Sequence, residues 1–101
     1  KGKGEAFSPT DLVATALASC MLTIIGIKAD EMNINIDGTT AEIEKIMGSG
    51  PRRIAQLIIV INIPISTDQK TKNILEKVAL ACPVDKSLSD SMIRDVKFIW
   101  G

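Results

Sequence analysis

Ser8-Pro9-Thr10-Asp11-Leu12-Val13-Ala14-Thr15-Ala16-Leu17-Ala18-Ser19-Cys20 opens a helix and carries a thiol into it. Ser8 is a capping residue, and Pro9 suits the first helical turn, where a missing N–H costs nothing. Asp11, three residues after Ser8, completes a capping-box-like start and places a negative charge where the helix dipole favours it. From Leu12 to Ile27 no residue is charged. Leu12, Val13, Ala16, Leu17, Cys20, Met21, Ile24, Ile25 and Ile27 cover most of the circumference rather than one stripe. A helix apolar all round predicts cover on every side, more than 101 residues easily supply.

Outward from that helix the pattern changes period. Lys28, Asp30 and Glu31 end the apolar run, and Asn33 begins a strand-like stretch with Ile34 and Ile36 on one face. Asp37-Gly38 breaks the phase as a bulge or turn would, after which Ala41 and Ile43 alternate with Glu42 and Glu44. Gly48-Ser49-Gly50-Pro51 is the turn of a hairpin. The return strand sets Leu57, Ile59, Ile61, Ile63 and Ile65 on one face, with Ile58 and Val60 central on the other, which predicts a middle buried on both sides.

A second helix is signalled by Ser66-Thr67-Asp68-Gln69 and by Ile74, Leu75, Val78 and Ala81 at helical spacing. Pro83 interrupts it, Val84 to Met92 reads as a short helix, and Val96, Phe98 and Trp100 alternate with Lys97 and Ile99 in a closing strand. The order predicts a single α+β domain over residues 1–101, its mostly antiparallel sheet covered by helices.

Composition narrows the function. Twelve basic residues balance twelve acidic ones, and Phe7, Phe98 and Trp100 are the only aromatics. Such a chain has no net field to recruit nucleic acid or an anionic membrane surface. No secretory signal is evident, and no stretch reads as the ~18 uninterrupted apolar residues of a membrane span, so a cytoplasmic setting is the expectation.

The chain has no histidine, and Cys20 and Cys82, 62 positions apart, are its strong nucleophiles. In a reducing compartment a bridge between two such cysteines is transient and redox-active more often than structural. Both cysteines also read as small buried hydrophobes. Cys82 precedes Pro83, which can open a helix and leave the sulfur at its amino terminus, an arrangement that lowers a thiol pKa. Met21, Met32, Met47 and Met92 lack the clustering of a thioether metal site, and no cofactor or metal is called for.

Ser8-Pro9-Thr10-Asp11-Leu12 with Cys20, and Cys82-Pro83-Val84 followed by Lys86-Ser87-Leu88, resemble the OsmC/Ohr family of osmotically induced and organic-hydroperoxide-resistance proteins. The likeness spans essentially the whole chain. It implies an intertwined homodimer with long central helices packed between sheets, and an amino-terminal strand region ahead of Lys1. It also implies a thiol-dependent peroxidase. Cys20 would attack a small organic hydroperoxide and become a sulfenic acid, Cys82 would resolve it as a disulfide, and a dithiol reductant such as a lipoyl protein would restore both.

The family activates its first cysteine with an arginine from the amino-terminal strands, held by a glutamate ten residues before that cysteine. Here that position is Thr10, with Asp11 beside it, as in a less characterised branch of the family. Ten helical residues advance ~15 Å, and Asp11 lies about 180° around the helix from Cys20, so neither reaches the thiol directly. Arg52 and Arg53 read as a solvated hairpin tip, and Arg94 as a partner for acidic surface groups. Two readings therefore stay open beside the peroxidase: a dimeric small-molecule-binding or sulfur-transfer protein, and a protein whose cysteines only pack.

Overall fold

A computed structural model describes residues 8–101. Helix α1 (Pro9–Glu31) is followed by strands β1 (Thr40–Gly48) and β2 (Arg53–Ile63), helix α2 (Gln69–Leu80), the short helix α3 (Pro83–Lys86) and strand β3 (Ile93–Trp100). The sheet order is β1-β2-β3, with β1 antiparallel and β3 parallel to β2. The sheet is thus mixed where a mostly antiparallel one was expected. The reason is the crossover through α2 and α3, which returns the chain to the end of the sheet where β2 begins.

The amino-terminal signals of α1 and α2 are realised. Ser8 Oγ accepts the Asp11 N–H at 3.2 Å, and Asp68 Oδ1 accepts the Thr71 N–H at 3.1 Å. One face of α1 (Ala14, Leu17, Ala18, Met21, Ile25 and Ala29) is buried. All of these but Ala18 join Leu57, Ile59, Ile61 and Ile63 of β2 and Leu75 and Ala79 of α2 in one core, which also takes in Cys82. Leu12 is 54% and Ile27 53% exposed on the opposite side of α1, so among the described residues the cover predicted all round that helix is found on its inner face. By length and composition α1 is long and apolar enough to cross a membrane, although its run from Leu12 to Ile27 holds polar Thr15, Ser19 and Thr23; here its inner face packs on the core.

Three local expectations are corrected. Residues 33–36 are not strand, Asn33 taking a left-handed conformation (φ 57°) that an asparagine tolerates, while Asp37–Gly38 is the turn of the two alternatives expected there, with Gly38 at φ 88°. The register shift lies instead between Ile46 and Met47, within the hairpin. Among the described residues the outer face of β2 is half-open: Ile58 and Val60 are only part-buried, flanked by Glu44 and Glu42 of β1 and by Asp95 and Lys97 of β3. Lastly, α3 stops at Lys86 rather than near Met92, since Ser89 Oγ takes the Ser91 N–H at 3.1 Å and so turns the chain locally.

Candidate functional site

Pro83 creates the setting of Cys82. It has no N–H with which to continue α2, and its fixed φ favours a new helical start, so Cys82 becomes the N-cap of α3. The Cys82 N–H donates to the Ala79 carbonyl at 3.3 Å, and its Sγ accepts the Asp85 N–H at 3.4 Å. The residue is fully buried, while Cys20, midway along α1, is half-buried; both are free thiols.

Cys20 is near enough to act on the Cys82 thiol. Burial is the main cause that pushes the Cys82 thiol above its ordinary value of 9.0; the Asp85 N–H opposes it, and the neighbouring Cys20 thiol and Asp85 carboxylate add to the rise. The expected helix-terminus effect is therefore present, but it is outweighed. Burial disfavours the thiolate more than one N–H stabilises it. At neutral pH Cys82 is a neutral thiol, able to give a proton as well as a sulfur.

Asp85 is itself held. Arg94 Nε donates to Asp85 Oδ1 at 2.8 Å, with side-chain exposures of 17% and 13%, so Arg94 finds an acidic partner but not on the open surface. Arg94 Nη1 also donates to the Ser89 and Met92 carbonyls, both at 2.7 Å, and Nη2 to the Asp85 carbonyl at 3.5 Å.

The other end of α1 carries a second cation site. Lys45 Nζ of β1 pairs with Asp11 Oδ1 at 2.8 Å and donates to Thr10 Oγ1 at 2.6 Å and Ser8 Oγ at 3.2 Å. The Lys45 ammonium, followed by Ser8, holds the Asp11 carboxyl below its ordinary value. Asp11 thus faces β1, while Cys20 faces Cys82, in keeping with the half-turn between them. Thr10, ten residues before Cys20, accepts from this lysine.

Arg52 and Arg53 form the exposed hairpin tip. Arg53 Nη1 donates to the Ser49 and Pro51 carbonyls, both at 3.1 Å. Met21 is core, with Met32 and Met92 packed against it. An open cleft of about 760 Å³, between α1 and residues 33–37, is lined by neither cysteine.

Sequence reasoning did not single out Lys45 or Asp85. A signal for Asp85 existed: Ser8-Pro9-Thr10-Asp11 and Cys82-Pro83-Val84-Asp85 are the same cap-Pro-x-Asp pattern.

Fold and site together define a two-thiol α+β protein, with a half-buried cysteine in a long helix set against a buried one at the start of a short helix. The OsmC-like protein family profile matches residues 2–96, and the chain belongs to that family. A crystal structure of a Psychrobacter arcticus protein, named for osmotic stress induction and a detoxification response, is 54% identical. It superposes with a TM-score of 0.87 over 98% of this chain and 71% of that one. The organic hydroperoxide resistance protein OhrB of Bacillus subtilis is 25% identical, with a TM-score of 0.71 over 95% of this chain and 71% of that one. An OsmC-like protein from Mycoplasma pneumoniae, 18% identical, shares the fold at a TM-score of 0.83 over 99% and 76%. Among curated protein sequences none matches.

Proposed function

We propose that the chain is a thiol-dependent peroxidase that reduces small organic hydroperoxides through Cys20 and Cys82. The observation that carries this reading is the pair itself: a half-buried thiol beside a buried one whose pKa is raised. The Cys20 thiolate attacks the outer oxygen of the hydroperoxide, the O–O bond breaks, and the alkoxide leaves as an alcohol after taking a proton. Cys20 is then a sulfenic acid. The Cys82 sulfur attacks that sulfur, and hydroxide leaves with the Cys82 proton as water, forming the Cys20–Cys82 disulfide. A dithiol, such as a lipoyl protein, returns both thiols by exchange. A homodimer that covers the outer side of α1, in a reducing compartment such as the cytoplasm, completes this reading.

A second reading keeps the dimer and removes the peroxidase, leaving a small-molecule-binding or sulfur-transfer protein. Its support is the cation inventory. Among the described residues Lys45 is committed to Asp11, Arg94 to Asp85 and Arg53 to the hairpin tip.

Mass spectrometry after a single equivalent of cumene hydroperoxide separates the two. Loss of two hydrogens with residues 20 and 82 linked, abolished in Cys20→Ser, is the peroxidase outcome. Two unmodified thiols in the intact protein reject it.

A further inference from the structure

We propose that Arg94 is a positioning residue for the second thiol step: by clamping Asp85 from two sides it fixes the first turn of α3 and aims the Cys82 sulfur at Cys20. The inference rests on the two-thiol reading above and adds to it a residue outside the sulfur chemistry.

The argument runs through one residue. Arg94 holds the Asp85 carboxylate at 2.8 Å and reaches the Asp85 main-chain carbonyl at 3.5 Å. Asp85 gives its remaining main-chain polar group, the N–H, to Cys82 Sγ at 3.4 Å. Both ends of Asp85 are therefore specified, and the sulfur sits on the group so specified. Arg94 is fixed in turn by the Ser89 and Met92 carbonyls, at the point where the chain enters β3, so the clamp is anchored in the sheet rather than in solvent. A guanidinium fork can hold three carbonyl groups and a carboxylate at once, which an ammonium cannot reproduce.

The geometry also suits the step. A sulfur that accepts the Asp85 N–H has its own S–H directed elsewhere, and the other thiol beside it is Cys20. In disulfide closure the Cys82 S–H bond breaks, the Cys82–Cys20 S–S bond forms, and the S–O bond of the Cys20 sulfenic acid breaks with release of water. The sulfenic sulfur is reduced and the thiol oxidised. Loss of the clamp lets α3 turn, and the sulfenic acid waits for its partner.

Two measurements on the full chain test this. Reduced protein is treated with a single equivalent of cumene hydroperoxide in the presence of dimedone, and Cys20 is partitioned by mass between disulfide and dimedone adduct. Arg94→Ala is expected to raise the adduct-to-disulfide ratio about tenfold or more, the scale of a small misplacement of reacting groups. Arg94→Lys, which keeps the charge without the fork, should fall between. The same ratio in wild type and a folded Arg94→Ala overturns the proposal. If Arg94→Ala does not fold, Arg94→Lys carries the test, and a wild-type ratio there overturns it equally.

The second measurement needs no peroxide: the equilibrium of the Cys20–Cys82 pair with dithiothreitol, at a temperature where all variants are folded. It should shift about tenfold toward the dithiol in Arg94→Ala. Wild-type protein that gives no oxidised Cys20 with hydroperoxide defeats the peroxidase reading, while this equilibrium still decides the role of Arg94. An unshifted equilibrium in the folded variant overturns that role. A fall in melting temperature without either shift marks a purely structural ion pair and overturns it as well.

Discussion

Lys45 and Arg94 lie in one row across the sheet, on either side of Leu57, and each holds the aspartate in the third position of a helix. The helices begin alike, as Ser8-Pro9-Thr10-Asp11 and Cys82-Pro83-Val84-Asp85, and in both the aspartate N–H returns to the capping side chain. The two edge strands thus fix the starts of the two cysteine-bearing segments through the same device. The difference is exposure. Lys45 and Asp11 are 23% and 44% exposed, against 17% and 13% for Arg94 and Asp85.

That difference predicts unequal salt responses. Lys45→Met should lower the melting temperature modestly, and high salt should shrink its difference from wild type, because partly solvated charges are screened. Arg94→Met should lower it further, with a difference that salt barely alters. Thermal melts at two ionic strengths check both; equal salt dependence would contradict the exposure argument.

The pH dependence has a definite sign at each end. The Cys82 thiol titrates above 9.0 in the folded chain, so the folded state holds its proton more tightly than the unfolded one. Its contribution is complete below pH 9.0 and is lost as pH rises through the folded value. Asp11 is shifted the other way, so its contribution is present above 3.8 and is lost as pH falls through its lower folded value. Alkaline melting curves of wild type should therefore fall more steeply than those of Cys82→Ala, and acid curves more steeply than those of Asp11→Asn. Parallel curves at either end remove the corresponding shift.

Neighbouring isoleucines on α1 separate inner from outer face. Ile25 is fully buried, and Ile25→Ala should cost about 2–5 kcal/mol, read from chemical denaturation. Ile27, 53% exposed, has little to lose within one chain. Under the homodimer reading, Ile27→Asp should instead weaken self-association, seen by sedimentation as a shift toward monomer. An Ile27→Asp protein that associates as wild type does would place the dimer contact elsewhere.

The long elements were legible because local chemistry and packing agree on them. Ser8, Pro9 and the uncharged run through Ile27 specify α1, and Leu57, Ile59, Ile61 and Ile63 specify the inner face of β2. Cys82 was legible beside the stop at Pro83, whereas Cys20, midway along α1, stood out through the family resemblance of its segment. What was hidden depends on contacts between distant residues. The parallel docking of β3 follows from the path of a crossover, not from the alternation of Val96, Phe98 and Trp100. The rise in the Cys82 pKa follows from its complete burial, which no neighbour in sequence specifies. Lys45 shares the strand phase of Ala41 and Ile43, and its role depends on a partner 34 positions earlier, which no local pattern specifies.

The placement of Cys82 within the crossover ties redox state to the fold. A bond between residues 20 and 82 would close a loop that holds the whole hairpin and α2. In the chain-entropy account a loop of that length restrains the unfolded chain by about 4 kcal/mol. The same free energy read in the other direction makes the folded pair about 90 mV harder to reduce than the same two cysteines in an unfolded chain. Under the two-thiol reading the fold would set the partner's potential: regeneration would call for a strongly reducing dithiol, and melting temperature would become a gauge of how much of the protein is oxidised.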